Sequence, residues 1–338
     1  MPCKIHLQFF VKNSKLLILF IITLIIGMFY GGAIVKYKIF PFGYIKKALN
    51  SKYNTLKTYG PWSIGIYKGT TPFNLADPEE ISNPVLTAKD VTDINAVFVA
   101  DPFIVSDNGK YFMFFEVMNR VTNKGDIGYA ESENGIKWNY GKIILDEKFN
   151  LSYPYVFEWG NSYYMIPESG NDFSVRLYKA ISFPEKWEYL GNLLSGYSTV
   201  DPSIFRYDNK WWMFVSAGEN NVLNLYFSED LLTGWKPHPM NPIVKFDSHI
   251  SRPGGRVIVD NEKLYRLTQD DEPTYGLQVF AFEITELSEK SYKEKLVSKT
   301  PIVTKSGKYG EWNARGMHQV DVHKLNNEWI AVVDGRNR

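Results

Sequence analysis

The chain has 338 residues, a net charge of +1 and an aromatic content of 16%. This composition supports a packed core and excludes a largely disordered chain. No basic cluster or tail is present, so no nucleic-acid partner is expected. The only cysteine, Cys3, excludes an intrachain disulfide and a cysteine-based zinc site, and no cofactor or metal site is predicted.

The amino-terminal region contains an uncharged apolar run, Leu16–Val35. Twenty such residues match a bilayer core of about 30 Å. We therefore predict a short segment over 1–15, a transmembrane anchor over 16–35 and a linker over 36–58. A cleaved signal peptide is the alternative, but the run is long for one and no clear small-residue cleavage site follows it. Lysines flank both sides of the run, so the charge rule does not fix its orientation. With the amino terminus in the cytoplasm, we expect a single-pass membrane protein whose globular part lies on the non-cytoplasmic side.

The rest of the chain contains a repeated pattern in which a β-rich run, a polar turn and an aromatic β-rich run follow one another. These are hairpin signals. The five copies begin at Ala100, Ser152, Val200, Ser251 and Met317. Their predicted turns are Asn108-Gly109, Gly160-Asn161, Asp208-Asn209, Asp260-Asn261 and Asn326-Asn327. A third strand is predicted after four hairpins, from Gly125, Phe173, Val222 and Gly276.

The fifth hairpin ends at Asp334, with no third strand after it. The segment WSIGIYKG from Trp62 resembles the third strands of the other copies. An amino-terminal strand that completes the last sheet would remove an open sheet edge. The predicted fold is therefore all-β, a five-bladed β-propeller over 59–338, preceded by one transmembrane helix.

Counting outward from each turn identifies residues that lie opposite one another in the hairpins. The predicted pairs are Asp101 with Glu116, Tyr153 with Glu168, Asp201 with Ser216, Arg252 with Gln269, and His318 with Asp334. All lie at one end of their hairpins, which predicts a polar ring at one mouth of the channel. Capping of backbone amides by the Asp-Pro aspartates is the alternative. A whole ring of ionisable groups, however, costs desolvation energy unless a ligand, water or mutual pairing compensates.

The five hairpins with Asp-Pro strand starts resemble the five-bladed propellers of glycoside hydrolase family 43 and its relatives. Within this group, the segment Ser251–Glu294, which opens with SRPGGR, is most similar to the amino-terminal domain of glucosamine inositolphosphorylceramide transferase-like proteins. The resemblance covers about 59–338 and implies a carbohydrate or glycoconjugate partner.

The hydrolase resemblance also implies roles for individual residues. Asp101 matches the general base, Asp201 the residue that tunes the acid, and His318 the histidine beneath the sugar. Arg252 stands where that family has its glutamate general acid. An arginine stays protonated and cannot donate a proton at useful pH.

Two main interpretations remain open for this site. In the first, the chain is a glycoside hydrolase in which Glu168 or Glu116 supplies the acid, and Arg252 clamps an anionic sugar. In the second, Arg252, Arg256, Gln269 and Asp270 recognise a substrate that a partner glycosyltransferase modifies. In the resembling proteins a separate transferase domain follows, and this chain has no room for one, which argues against intrinsic glycosyl transfer. A third interpretation is a purely structural propeller. The predicted catalytic residues are Asp101, Glu168 and Asp201, and the predicted substrate-binding residues are Glu116, Arg252, Arg256, Gln269, Asp270, His318 and Asp334.

Overall fold

The computed structural model describes residues 61–217, 220–325 and 328–337, together with Gly27. Apart from Gly27, the predicted anchor over 16–35 and the linker over 36–58 lie outside the described residues. Within the described ranges, no helix has the length and apolar character needed to cross a membrane. The anchor, its orientation and the domain limits remain predictions.

The described residues form antiparallel sheets arranged as the five blades of a propeller, which confirms the predicted all-β fold. The first strands in the chain, β1 (Trp62–Thr71) and β2 (Asn74–Ala76), belong to the last blade. The first blade contains β3 (Ala96–Asp107), β4 (Lys110–Asn119), β5 (Lys124–Ser132) and β6 (Asn139–Leu145). The second contains β7 (Ser152–Trp159), β8 (Ser162–Glu168), β9 (Ser174–Ser182) and β10 (Lys186–Ser195).

The later blades carry more short strands. The third contains β11 (Thr199–Tyr207), β12 (Lys210–Ala217), β13 (Val222–Ser228), β14 (Lys236–Pro237) and β15 (Val244–Lys245). The fourth contains β16 (Arg252–Pro253), β17 (Ile258–Asp260), β18 (Lys263–Asp270), β19 (Gln278–Leu287), β20 (Tyr292–Leu296) and β21 (Val303–Thr304). The fifth adds β22 (Val320–Leu325) and β23 (Glu328–Arg336), and two 3₁₀ helices span Ala88–Asp90 and Gly170–Asp172.

The amino-terminal strand closes the ring of blades, as the sequence predicts. β1 pairs with β23 from Trp62 opposite Arg336 to Gly69 opposite Trp329, in a sheet ordered β2-β1-β23-β22. The closing strand covers the edge of β23 that would otherwise be open to pairing with another chain.

The predicted hairpin turns adopt the left-handed backbone conformation that tight turns need. Asn108 and Gly109 have φ angles of 48° and 82°. The turn of the fourth blade lies one residue later than predicted, at Asn261 and Glu262, because Asp260 already pairs with Lys263. The fifth predicted turn, 326–327, lies outside the described residues.

The hydrophobic core lies between neighbouring blades. Phe103 of the first blade, for example, packs edge-on against Tyr153 of the second, with ring centroids 4.8 Å apart. Both rings are fully buried, and burial of each stabilises the fold by roughly 2–3 kcal/mol. This packing fixes the blades around the axis and so fixes the side chains that face the channel.

Candidate functional site

Three inner strands, β3, β7 and β11, contain the same backbone irregularity. Asp101, Tyr153 and Asp201 have φ angles of 54°, 46° and 51°, and a proline follows each of them. The strand register shifts by one residue at each position, which is the pattern of a β-bulge. Non-glycine residues in this conformation are strained, and such strain is concentrated at functional sites.

The bulges correct three predicted pairings. Glu116 lies opposite Ala100, Glu168 opposite Ser152, and Ser216 opposite Val200, each one residue before the predicted partner. Counting from the turn was wrong there because the bulge inserts one residue that has no partner. Arg252 does lie opposite Gln269, as predicted.

Asp334 holds the fifth-blade part of the mouth together. Its Oδ1 accepts hydrogen bonds from His318 N–H (3.0 Å), His318 Nδ1 (2.8 Å) and Gln319 N–H (3.1 Å), and its Oδ2 accepts one from Asp101 N–H (3.1 Å). With Nδ1 bound to Asp334, His318 Nε2 lies 3.5 Å from Asp101 Oδ1. Burial alone would lower the pKa of His318, but the Asp334 and Asp101 carboxylates raise it.

Arg252 is bound to an aspartate of the neighbouring blade. Asp201 accepts hydrogen bonds from Arg252 Nε (2.5 Å) and Nη2 (3.3 Å), and another from Gln269 Nε2 (2.6 Å). Arg252 Nη2 also lies 3.6 Å from Glu168 Oε2. The guanidinium is therefore already neutralised inside the protein before any ligand binds.

Acidic groups outnumber cationic groups at this mouth. Burial, opposed by His318 and reinforced by Asp334, raises the pKa of Asp101 to about 7. Burial also raises the pKa of Glu116 and of Glu168 well above the usual range. Nearby acids reinforce both shifts, Asp101 most for Glu116 and Asp201 most for Glu168.

Two of these acids have carboxyl oxygens that make no hydrogen bond to a described residue. Glu116 is only 7% exposed, and its side chain makes no hydrogen bond to another described residue. Glu168 Oε2 is buried without a hydrogen-bond partner among the described residues. A buried carboxyl oxygen without a partner, such as Glu168 Oε2, is costly, so this part of the mouth is chemically incomplete.

Aromatic rings line the mouth beside His318. Trp62 stacks on the imidazole with ring centroids 4.0 Å apart, and Tyr275 packs edge-on against it at 5.2 Å. Asp271, which accepts a hydrogen bond from Gly276 N–H in the same loop as Tyr275, has a pKa that burial raises and that Arg252 and His318 partly lower. None of these three residues was among the predicted site residues. Trp62 was identified only as part of the closing strand, and Tyr275 and Asp271 lie in a loop directly after the predicted Gln269-Asp270.

Two predicted substrate-binding residues lie outside this ring. Arg256 donates to Asp321 Oδ1 (2.8 Å) and to the carbonyl of Val156 (2.9 Å), deeper in the channel. Asp270 accepts from His249 Nδ1 (2.8 Å) and Gln278 Nε2 (2.9 Å). The structure brings the other eight predicted residues together: Asp101, Glu116, Glu168, Asp201, Arg252, Gln269, His318 and Asp334.

Asp101, His318 and Asp334 offer donor atoms within 4.8 Å of one another, which is close enough for a metal ion. However, Asp334 already accepts hydrogen bonds from three backbone N–H groups and from His318 Nδ1. A metal would have to displace these donors, so the three residues fit a resident cation poorly.

Comparison with known proteins identifies close relatives. Residues 55–336 match the family described as glucosamine inositolphosphorylceramide transferase 1, N-terminal. Glucosamine inositolphosphorylceramide transferase 1 of Oryza sativa subsp. japonica is 36% identical over 299 residues, which cover 82% of this chain and 40% of the relative. The Arabidopsis thaliana protein of the same name is 34% identical over 299 residues, covering 82% of this chain and 39% of the relative. The chain thus spans about two fifths of the length of these relatives.

A solved structure shares the fold. The beta-1,2-mannobiose phosphorylase from Listeria innocua superposes with a TM-score of 0.59 and 15% sequence identity, covering 80% of this chain and 97% of that chain. At this identity the similarity establishes the propeller architecture and nothing further about chemistry.

Proposed function

The chain belongs to the family of glucosamine inositolphosphorylceramide transferase 1 amino-terminal domains, and from this membership we propose that its propeller recognises a carbohydrate rather than cleaving it. The bound sugar, in this proposal, carries an amine. The observation that carries the proposal is the state of Arg252, which occupies the position of a general acid and is held by Asp201.

An arginine held in this way is suited neither to proton donation nor to binding an anionic ligand. The guanidinium stays protonated, and its Nε and Nη2 donors already reach Asp201. The sequence-based expectation of an anionic sugar required Arg252 to be available for the ligand. Its pairing with Asp201 therefore favours a ligand of the opposite charge.

The unbalanced acids favour a cationic group on the ligand. Asp101, Glu116 and Glu168 have raised pKa values because each is buried close to other acids. An ammonium group placed among them would supply the missing positive charge and up to three hydrogen-bond donors. The name of the relatives includes glucosamine, a sugar that carries such an amine.

The aromatic wall suits the rest of such a ligand. Trp62 and Tyr275 border His318 and Arg252, with Arg252 Cζ 5.1 Å from the Tyr275 ring. Pockets for small ligands combine apolar or aromatic walls with a few placed polar groups. In this arrangement the acids would orient the amine, and the half-buried Tyr275 ring would contact the apolar parts of the sugar.

A calorimetric comparison of sugars tests this proposal. Full-length chain in a detergent without a sugar headgroup is titrated with glucosamine, glucose and glucuronate near pH 6. We expect glucosamine to bind at least about tenfold more tightly than glucose, a difference of about 1.4 kcal/mol. Tighter binding of glucuronate than of glucosamine would contradict the proposal.

Hydrolysis is a second candidate, and the raised pKa values of Glu116 and Glu168 favour it. A carboxyl group that keeps its proton near neutral pH can act as a general acid. With Asp101 as base, Glu168 as acid and Asp201 as the tuning residue, the mouth would cleave a glycosidic bond. Incubation with an oligosaccharide panel tests this: sugar release that is abolished by Asp101→Asn would establish hydrolysis and overturn pure recognition.

We also propose that residues 16–35 anchor the chain in a membrane, with the propeller on the non-cytoplasmic side. The support is the uncharged run of twenty residues in the sequence. Alkaline carbonate extraction of membranes from expressing cells should leave the chain in the pellet, and protease outside sealed cytoplasm-facing-out vesicles should not digest the propeller. On the non-cytoplasmic side, the propeller would present its bound sugar to a partner glycosyltransferase or to a transferase domain.

A further inference from the structure

A second cavity opens on the same face of the propeller as the acidic mouth. This cleft has a volume of about 980 Å³ and is bordered by Trp62, Trp312, Asn83, Arg120 and Asn337. Trp62 begins β1, Arg120 follows β4 and Asn337 follows β23, which are the strand ends nearest the mouth. The cleft does not include the acidic residues of the mouth.

Trp312 lies against a surface made by two glycines on adjacent strands. A Cβ atom on Gly65 would lie 2.6 Å from Trp312 Cη2, and one on Gly335 would lie 2.5 Å from Cζ3. Gly65 is in β1 and Gly335 in the neighbouring β23. Any side chain at these positions would displace the indole, so the two glycines let Trp312 pack directly on the sheet.

The other neighbours of Trp312 hold the indole in place at the wall of the cleft. Tyr67 packs edge-on against it, with ring centroids 6.4 Å apart at 83°. The Tyr67 hydroxyl in turn accepts a hydrogen bond from Asn313 Nδ2 at 2.9 Å. The indole is therefore positioned by its neighbours and only half-buried, which makes it a preformed aromatic surface.

The polar groups of the cleft include one acceptor without a partner. Asn83 is committed, since it bonds the backbone of Ile66 through both Oδ1 and Nδ2 at 2.8 Å. Asn337 Oδ1, by contrast, is buried and has no hydrogen-bond partner among the described residues. A buried carbonyl of this kind is costly unless a donor from water or a ligand reaches it.

The charges of the cleft are close to balanced, unlike those of the mouth. Its charged lining residues are Asp77, Lys89, Arg120, Lys308 and Glu311. Lys308 pairs with Glu311 at 3.4 Å, and Asp77 accepts a hydrogen bond from Asn83 at 2.7 Å. A neutral ligand with many hydroxyl groups matches this mixture better than a strongly charged one.

We propose that this cleft is a second carbohydrate site, which binds a neutral sugar ring against Trp312 while a sugar hydroxyl donates to Asn337 Oδ1. Trp62 separates the two sites, because it stacks on His318 of the mouth and also borders the cleft. One glycan could thus contact both sites across Trp62. The second site does not depend on the choice between recognition and hydrolysis at the mouth.

Fluorine NMR of full-length chain labelled with 5-fluorotryptophan tests the proposal. The probes are methyl β-glucoside, methyl β-galactoside and methyl α-mannoside, in a detergent without a sugar headgroup. The Trp312 signal is assigned by its loss in Trp312→Phe. We expect at least one probe to shift this signal. Asn337→Ala should raise the probe concentration at half-saturation about tenfold, because the sugar hydroxyl loses its acceptor.

Two control variants make the outcome decisive. Glu116→Gln alters only the mouth, so the Trp312 shift should persist in it. Trp159→Ala removes an exposed aromatic ring elsewhere and should leave the shift unchanged. The proposal is overturned if no probe shifts the Trp312 signal, if Asn337→Ala has no effect, or if Glu116→Gln abolishes the shift, since the last result would place all binding at the mouth.

Discussion

Two arginine–aspartate pairs lie in the channel, and they differ in how fully their charges are balanced. Arg256 and Asp321 form the deeper pair, and Asp321 accepts further hydrogen bonds from Ile104 N–H (2.7 Å) and His323 Nε2 (2.9 Å). Arg252 and Asp201 form the pair at the mouth. Asp321 lies three residues beyond His318 along the chain, which corresponds to about 10 Å along a strand.

The pKa values of nearby acids show the difference between these regions. Burial alone would raise the pKa of Asp321, but Arg256 and His323 lower it to about 2. Burial raises the pKa of Asp101 at the mouth to about 7, because its cationic neighbours do not compensate. Arg256 and Asp321 thus join blades in fully paired surroundings, whereas Arg252 and Asp201 lie where an excess of acid remains, which is the proposed binding site.

The largest effect is expected from breaking the deeper pair. Arg256→Met leaves Asp321 fully buried without its cation, so the free energy of unfolding should fall by about 3–5 kcal/mol in urea denaturation. Arg206→Met, at an exposed arginine, is the matched control and should cost less than about 1 kcal/mol. A stable Arg256→Met protein that no longer binds sugar would instead make Arg256 a substrate-binding residue.

The two regions should also give opposite pH dependences. The folded-state pKa of Asp101 is raised, so stability should fall as pH rises from about 4 to about 7. The raised pKa of His318 acts in the same direction. The pKa of Asp321 is lowered to about 2, so its contribution is lost as pH falls from about 4 to 2.

Thermal unfolding of Asp101→Asn between pH 5 and pH 8 isolates the contribution of Asp101. Asparagine keeps the shape of the side chain and tolerates a positive φ. Between pH 5 and pH 8, the free energy of unfolding of the variant should therefore fall by roughly 1–4 kcal/mol less than that of the parent. Glu188→Gln, on the exposed face of β10, should leave the profile unchanged. An unaltered decline in Asp101→Asn would show that Asp101 is not the source.

A smaller effect concerns the unpartnered acid of the mouth. Glu116→Gln removes one carboxylate, so calorimetry should show glucosamine binding weakened about tenfold and glucose binding unchanged, a difference of about 1.4 kcal/mol. The Glu188→Gln control should bind both sugars like the parent. An equal loss for glucose and glucosamine would mean that Glu116 shapes the pocket without recognising charge.

The smallest effect is expected from a single hydroxyl near the axis. Tyr153 OH lies 2.8 Å from Ser203 Oγ and donates to the Gly255 carbonyl at 3.1 Å, which links three blades. Tyr153→Phe should lower the free energy of unfolding by about 1 kcal/mol. Tyr207→Phe, at an exposed tyrosine, should have no measurable effect; equal effects would show that the link contributes little.

Local signals made most of the fold predictable from the sequence. Dipeptides such as Asn108-Gly109 fix hairpin turns through their backbone conformation, and the likeness of the Trp62 segment to third strands revealed the closure. The one-residue bulge at Asp101 was not predictable, because turn counting assumes an uninterrupted ladder. Nor was the bond between Arg252 and Asp201, which depends on how neighbouring blades are placed in space.

The central claim is that the acids at the mouth bind an ammonium group of the ligand. Calorimetric titration of glucosamine near pH 6, repeated in buffers of different ionisation enthalpy, tests it most directly. Because an ammonium lowers the pKa of acids that hold protons in the free protein, binding should release about one proton, whereas glucose should release none. Glucosamine binding without proton release, or with proton uptake, would contradict the account.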